Sequence, residues 1–188
     1  MEPYHSVVTA DGVSIAARFF APEGAARAAV LIASAMGAPK GYYRPFAAWL
    51  AAQGYVVATF DYRGIGRSRP ATLRGFEADI LVWAGHDCAA MVEAVAARAP
   101  EAPLVWIGHS LGGQIVPMVP NRDRIAKIVT VATGSGYWRE YAPWMRPFGW
   151  WLWFVAVPAA TRLFGYFPGR RLKKVGDLPK GVVEQWRR

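Results

Sequence analysis

In the stretch LVWIGHSLGGQIVP, residues 104–117, Ser110 stands two residues after Gly108 and two before Gly112. A serine hydroxyl is a weak nucleophile. It becomes useful when a sharp turn lifts it clear of the backbone and a base, normally histidine, takes its proton. Small residues on either side let the chain turn that tightly, and Gly108, Gly112 and Gly113 supply them. The apolar run LVWIG reads as a strand, and a short helix opens at Leu111 that Pro117 breaks early. Strand, serine, helix is the setting in which Gly-x-Ser-x-Gly presents a nucleophile. Ser110 is therefore the candidate nucleophile, and the Leu111 N–H is the first candidate donor to an oxyanion.

A base is harder to find. The chain has three histidines, His5, His86 and His109, and none follows Ser110. His109 adjoins the serine, but successive strand side chains point to opposite faces, so it packs beneath the turn. His86 lies within a long helix, off its apolar stripe. His5 is near the N-terminus. No base is assigned. Among the acids, Asp123 sits in the turn NRDR before a strand. Asp177 and Glu184 read as solvated charges in a basic stretch. Glu140, just beyond that strand, is the one candidate acid carried forward. No metal-ligand cluster and no dinucleotide fingerprint is found, so neither a metal nor a cofactor is expected.

The elements that must position these residues alternate. Val13, Ile15 and Ala17 alternate with Ser14, Ala16 and Arg18, as in a strand behind the Asp11-Gly12 turn. AAVLIASAMG (28–37), YVVATFDYRG (55–64) and LVWIG (104–108) are continuous apolar runs that suit strands buried on both faces. IAKIVTVAT (125–133) is a further strand. Between them, residues 42–53 read as a helix ended by Gly54. Residues 77–99 read as a helix with Leu81, Ala84, Cys88, Met91 and Val95 on one face. Strand–helix alternation implies right-handed crossovers and an α/β fold with a mostly parallel sheet.

With these motifs in place, the sequence resembles the α/β-hydrolase family, in its lysophospholipase-like and serine-aminopeptidase-like branch. Three stretches carry the resemblance, within about residues 10–135: GHSLGG (108–113), FDYRGIGRS (60–68) and LIASAMGAPKGYY (31–43). In the third, Ser34-Ala35 stands where relatives carry His-Gly. The resemblance implies a serine hydrolase acting on an ester, thioester or amide of a small acyl substrate, through an acyl-enzyme at Ser110. It implies Met36, or Ala35 one residue earlier, as the second oxyanion donor. Asp61, Arg63, Gly64, Gly66 and Ser68 are read as structural, tying a loop together. The family places acid and histidine later, on two more strands across roughly a hundred further residues. The sequence is accordingly read as the N-terminal portion of such a fold, truncated and weakly active or inactive as it stands. The alternative is a catalytically dead binding or membrane-surface module on the same scaffold.

Composition fits a folded protein: 188 residues, 54% hydrophobic and 19% charged, net charge +9. The single cysteine, Cys88, allows no internal disulfide, and no signal peptide is read at the N-terminus. A cytoplasmic location, peripheral to a membrane, is expected. The charge is uneven. Residues 1–138, read as the hydrolase core, hold 12 Lys/Arg and 10 Asp/Glu; residues 139–188, read as a cap-like segment, hold 10 and 3, with five of the nine tryptophans. Residues 147–161, PFGWWLWFVAVPAAT, carry no charge but fall short of a transmembrane span. They are read as a cap over the site, an interfacial segment for anionic lipid, or core surface left uncovered. No nucleic-acid motif accompanies the basic residues, so nucleic acid is not an expected partner. The strand 125–133, left at a sheet edge, would favour self-association.

Overall fold

The computed structural model describes residues 4–171 and 176–187. Its sheet is built from β1 (His5–Val8), β2 (Ser14–Phe20), β3 (Ala28–Ala33), β4 (Tyr55–Phe60), β5 (Leu104–His109) and β6 (Ile125–Val131). The strand order is β1-β2-β4-β3-β5-β6. β4, β3, β5 and β6 run parallel, as their apolar runs predict, while β1 and β2 add an antiparallel hairpin at one edge. β1 escapes a sequence reading because its four residues alternate between half-buried and exposed and have no apolar run.

Alternation along the buried strands feeds two cores. Val30, Ile32 and Val57 face α1 (Arg44–Ala52) and pack on its Ala47, Leu50 and Ala51. Ala29, Leu31, Val56, Ala58 and Phe60 face the other way. That side is covered by a continuous helical rod: α2 (Ile80–Val82), a π-helical stretch Trp83–Cys88, and α3 (Ala89–Ala96). Asp79 caps the rod by accepting the Val82 N–H at 2.8 Å, satisfying a donor left free at a helix start. The rod corrects one expectation. Leu81 is exposed, and Ile80 and Trp83 take its place in the core. The π-turn adds a residue to the turn and shifts the phase of the apolar face.

After β5 come α4 (Leu111–Gln114), a single turn, and a 3₁₀ turn at Val116–Met118 where Pro117 ends regular helix. β6 pairs with β5 alone among the described residues, and from Ala126 to Val131 its side chains are exposed on both faces. The rest of the chain forms α5 (Arg146–Trp151), a π-helical stretch Leu152–Ala156 and α6 (Val157–Phe164), then β7 (Tyr166–Phe167), β8 (Leu178–Pro179) and α7 (Lys180–Trp186). β7 and β8 pair as a separate two-stranded ribbon. No helix among the described residues is long and apolar enough to cross a membrane.

Candidate active site

Ser110 occupies the turn between β5 and α4 with φ 52° and ψ −117°. For a residue bearing a Cβ, this backbone is sparsely populated and persists only when its surroundings enforce it. The enforcement is visible. The Ser110 N–H donates to the Val131 carbonyl at 2.9 Å, and the Gly113 N–H returns to the Ser110 carbonyl at 2.9 Å. The buried Trp106 indole donates to the Gly112 carbonyl at 2.8 Å, pinning the helix start to the strand. Glycines make the approach possible. A Cβ on Gly108 would lie 2.5 Å from the Gly112 oxygen, and one on Gly112 would run into the Ala33 carbonyl.

That last contact brings the end of β3 against α4. Ala33 sits beside Gly108 in the sheet, so the loop Ser34–Gly37 rises next to the serine turn. The Ala35 N–H is taken: it donates to the Tyr43 hydroxyl at 2.8 Å. The N–H groups of Met36 and Leu111 have no acceptor among the described residues. Between Ala35 and Met36, only Met36 keeps a free donor. α4 is too short for a macrodipole, so free N–H groups are what it offers the site.

The three histidines are engaged elsewhere. His109 Nδ1 lies 2.9 Å from Tyr43 Oη with the rings edge to face. Burial raises the Tyr43 phenol above its usual range, so it remains a neutral link between Ala35 and His109. His86 Nδ1 faces Asp11 at 3.7 Å, by the β1–β2 turn. His5, in β1, packs edge to face on Phe19 of β2. β1 is four strands from β5, about 19 Å at ~4.8 Å per strand. Glu140 is exposed and accepts a hydrogen bond from the Ser135 hydroxyl. Among the described residues no group of three or more His, Cys, Asp or Glu is placed to hold a metal.

The loop after β4 is held by ion pairs. Asp61 is buried, pairs with the Lys40 ammonium, and accepts the backbone N–H groups of Lys40 at 2.7 Å and Arg67 at 2.9 Å. A Cβ on Gly66 would strike that carboxylate at 2.5 Å. The Ser68 hydroxyl donates to the Asp61 carbonyl at 2.7 Å and accepts the Ala16 N–H at 2.8 Å. Arg63 bridges Asp87 on the π-turn, at 2.7 Å, and Asp11 on the β1–β2 turn, at 2.5 Å. Burial pushes the Asp87 carboxyl up to about 6, against the Arg63 hydrogen bonds. Asp11 goes the other way, because the Arg63 guanidinium holds its carboxyl well below the usual range.

The residues after β6 return over this end of the sheet. Gly176 packs on the Gly37 carbonyl, and the Gln114 side chain donates to the Gly134 carbonyl. Asp177 is not the solvated charge its neighbourhood in sequence implies. It pairs with Arg69 at 2.5 Å and accepts the Arg170 N–H at 3.0 Å. Two hollows lie beneath. An apolar cavity of about 320 Å³ is lined by Met36, Leu152, Trp153, Val157, Phe167, Leu178 and Val183. A smaller one of about 190 Å³ lies among Ser135, Gly136, Tyr137, Trp138, Trp153, Phe154, Trp186 and Arg187. Tyr43, Trp106 and Trp153 carry much of this geometry, and the sequence shows them only as apolar residues within strands or helices.

Comparison with known proteins agrees with this fold. A family model described as serine aminopeptidase, S33, matches residues 24–169. Monoglyceride lipase from Mus musculus is 27% identical over 120 residues, 62% of this chain and 39% of that one. The Rattus norvegicus monoglyceride lipase is 28% identical over 116 residues, 60% and 37% of the two chains. A thermostable carboxyl esterase from Bacillus coagulans superposes with a TM-score of 0.59 at 20% identity, over 72% of this chain and 44% of that one. An alpha/beta hydrolase from Novosphingobium aromaticivorans gives 0.55 at 20%, over 100% and 62%. The chain thus spans about two fifths of the length of the curated relatives it matches.

Proposed function

Because the chain belongs to the serine aminopeptidase S33 family of α/β serine hydrolases, we propose that it cleaves an acyl bond through an acyl-enzyme at Ser110. The observation that carries this reading is the enforced φ of 52° at a serine between β5 and α4. Oγ adds to the acyl carbonyl carbon while its proton passes to a base. The oxyanion forms opposite the N–H groups of Leu111 and Met36. Collapse then expels the leaving group, which takes up a proton. A donor of this kind, when lost, typically costs about 10²–10³ in kcat. Among ester, thioester and amide, the ester is favoured by the names of the relatives, a monoglyceride lipase and a carboxyl esterase.

In this reading the general base and the acid belong to polypeptide that pairs along β6. The pairing of His109 with Tyr43 and the placement of His5 and His86 by the β1–β2 hairpin support it, as do the bare edge and open faces of β6. A general base contributes about 10²–10⁴-fold, so residues 1–188 alone turn over little or nothing. The test is an aryl fluorophosphonate at alkaline pH, with and without imidazole as a diffusible base. A single adduct on Ser110, formed faster with imidazole and absent in Ser110→Ala, is expected. An adduct that persists in Ser110→Ala overturns the assignment.

A second reading, a non-catalytic membrane-surface module, has its own observation. Trp144, Trp150, Trp151, Phe154 and Leu163 are exposed between Pro143 and Phe164, Trp150 stacks on Phe154, and Arg139, Arg146 and Arg162 are exposed in the same part of the chain. Soluble monomers rarely expose so many large apolar side chains in one stretch. Tryptophan beside arginine suits the boundary of an anionic bilayer. The lone buried Cys88 is compatible with a cytoplasmic setting for either reading. Failure of imidazole to accelerate labelling would favour the module.

A further inference from the structure

Trp153 is the residue common to the two hollows. On one side it closes the 320 Å³ apolar cavity against Leu152, Val157 and Met36; on the other it walls the 190 Å³ hollow of Ser135, Gly136 and Trp186. Its indole is half-buried and held in place, donating to the Tyr141 hydroxyl at 3.3 Å, and that hydroxyl donates in turn to the Gly136 carbonyl at 3.1 Å. We propose that Trp153 is a partition: the apolar cavity takes a straight aliphatic chain, and the indole sets how long that chain can be.

The ligand chemistry follows from the lining. The cavity wall carries no charged side chain and no side-chain hydrogen-bonding group except the Trp153 indole, which Tyr141 already occupies. A polar ligand would lose its hydrogen bonds to water there without replacement, whereas each methylene that enters gains. The entrance is chemical as well as geometric. Met36 contributes its side chain to the cavity and its free N–H to the turn beside Ser110. Resting on the acyl-enzyme reading, a carbonyl oxygen at the Met36 N–H would send its hydrocarbon tail into the cavity. At about 30 Å³ for each water-sized group, 320 Å³ accommodates a chain of about ten carbons. Removing the indole joins the 190 Å³ hollow and adds room for about six more.

Phe167 and Leu178 close the far wall from the β7–β8 ribbon, and Val183 does so from α7. The chain site is therefore assembled from four separate segments, with Met36 from the loop after β3 and Val157 from α6. Such a cavity is present only in the folded protein.

The experiment titrates the folded chain with straight-chain carboxylates from butanoate to hexadecanoate, below their micellar concentrations, with stoichiometry and affinity read by native mass spectrometry. One site is expected. Affinity should rise about fourfold per added methylene, the equivalent of ~0.8 kcal/mol each, and level off near ten carbons. Trp153→Ala should move the plateau to about sixteen. Val157→Phe, with Val183→Phe as a second filling variant should the first fail to fold, should cut affinity for decanoate at least tenfold while leaving butanoate within twofold. A plateau that Trp153→Ala does not move overturns the partition. Decanoate binding indifferent to both filling variants overturns the cavity as the chain site. Because none of these readouts needs a nucleophile, a chain-length plateau without Ser110 labelling refutes only the acyl-enzyme reading, and labelling without a plateau refutes only this one.

Discussion

Replacing Ser110 with glycine should make the protein more stable while abolishing its labelling. At φ 52° and ψ −117°, the Cβ of an L-residue is crowded by its own backbone, whereas glycine rests there without cost. Residues held in such regions store about 1–3 kcal/mol of strain. Glycine gives back roughly 0.4–1 kcal/mol through its greater freedom in the unfolded chain. The net gain is about 0.5–2 kcal/mol, or about 1–8 °C in Tm for a chain of this size. Ser110→Ala is the control: it removes the hydroxyl but keeps the Cβ, and so keeps the strain. Urea denaturation followed by circular dichroism, at a protein concentration low enough for reversibility, measures both. The ordering expected is glycine above alanine, with alanine close to the parent. If the glycine variant proves no more stable than the alanine variant, the turn is not strained and the case for a presented nucleophile loses its main support.

Two further outcomes follow from charge and from surface. Asp87 keeps its proton up to about pH 6 in the folded protein but releases it near 3.8 when unfolded. The native state therefore binds more protons between those values, and stability falls as pH rises from about 4 to about 6, by up to about 3 kcal/mol. Asp11 acts in the opposite sense: its depressed value protects the fold above pH 4, and that contribution is lost as pH falls further. Chemical denaturation at a series of pH values should show a maximum near pH 4, and Asp87→Asn should remove the decline above it. The open strand β6 and the exposed tryptophans of α5 should make the chain self-associate at micromolar concentration, or bind anionic vesicles when these are supplied. Light scattering and vesicle co-sedimentation report both; a monomer that ignores the vesicles would contradict the surface reading.

Much of the sheet is legible in sequence because β3, β4 and β5 are unbroken apolar runs, and because the glycines around Ser110 leave few turns open to it. Features set by distant partners are not. Asp177 looks solvated among basic neighbours, yet its partner Arg69 lies 108 positions away. Leu81 fits the apolar stripe of an ideal helix and is displaced from the core by a π-turn that no local pattern announces. The choice between Ala35 and Met36 depends on the Tyr43 hydroxyl, which reaches back eight residues to occupy the Ala35 N–H. His109 is next to Ser110 in the chain, but its Nδ1 is paired with the Tyr43 hydroxyl. The role of Trp153 as a wall arises only when α5, α6 and α7 close over the Met36 loop.

The strand order has a consequence for how this chain is made. β2 and β3 are consecutive in sequence, yet in the sheet β4 lies between them. Neither can satisfy the facing edge until Phe60 has left the ribosome, 27 residues after Ala33. At about 5–20 residues per second, β3, one of the most apolar strands in the sheet, waits roughly one to five seconds with no neighbour on either side. β5 arrives later still, so the run AAVLIA stays open to a nascent-chain chaperone throughout that interval. Slowing translation between residues 33 and 60 would lengthen that exposure, and a synonymous change there can alter the yield of folded protein without altering one residue of it.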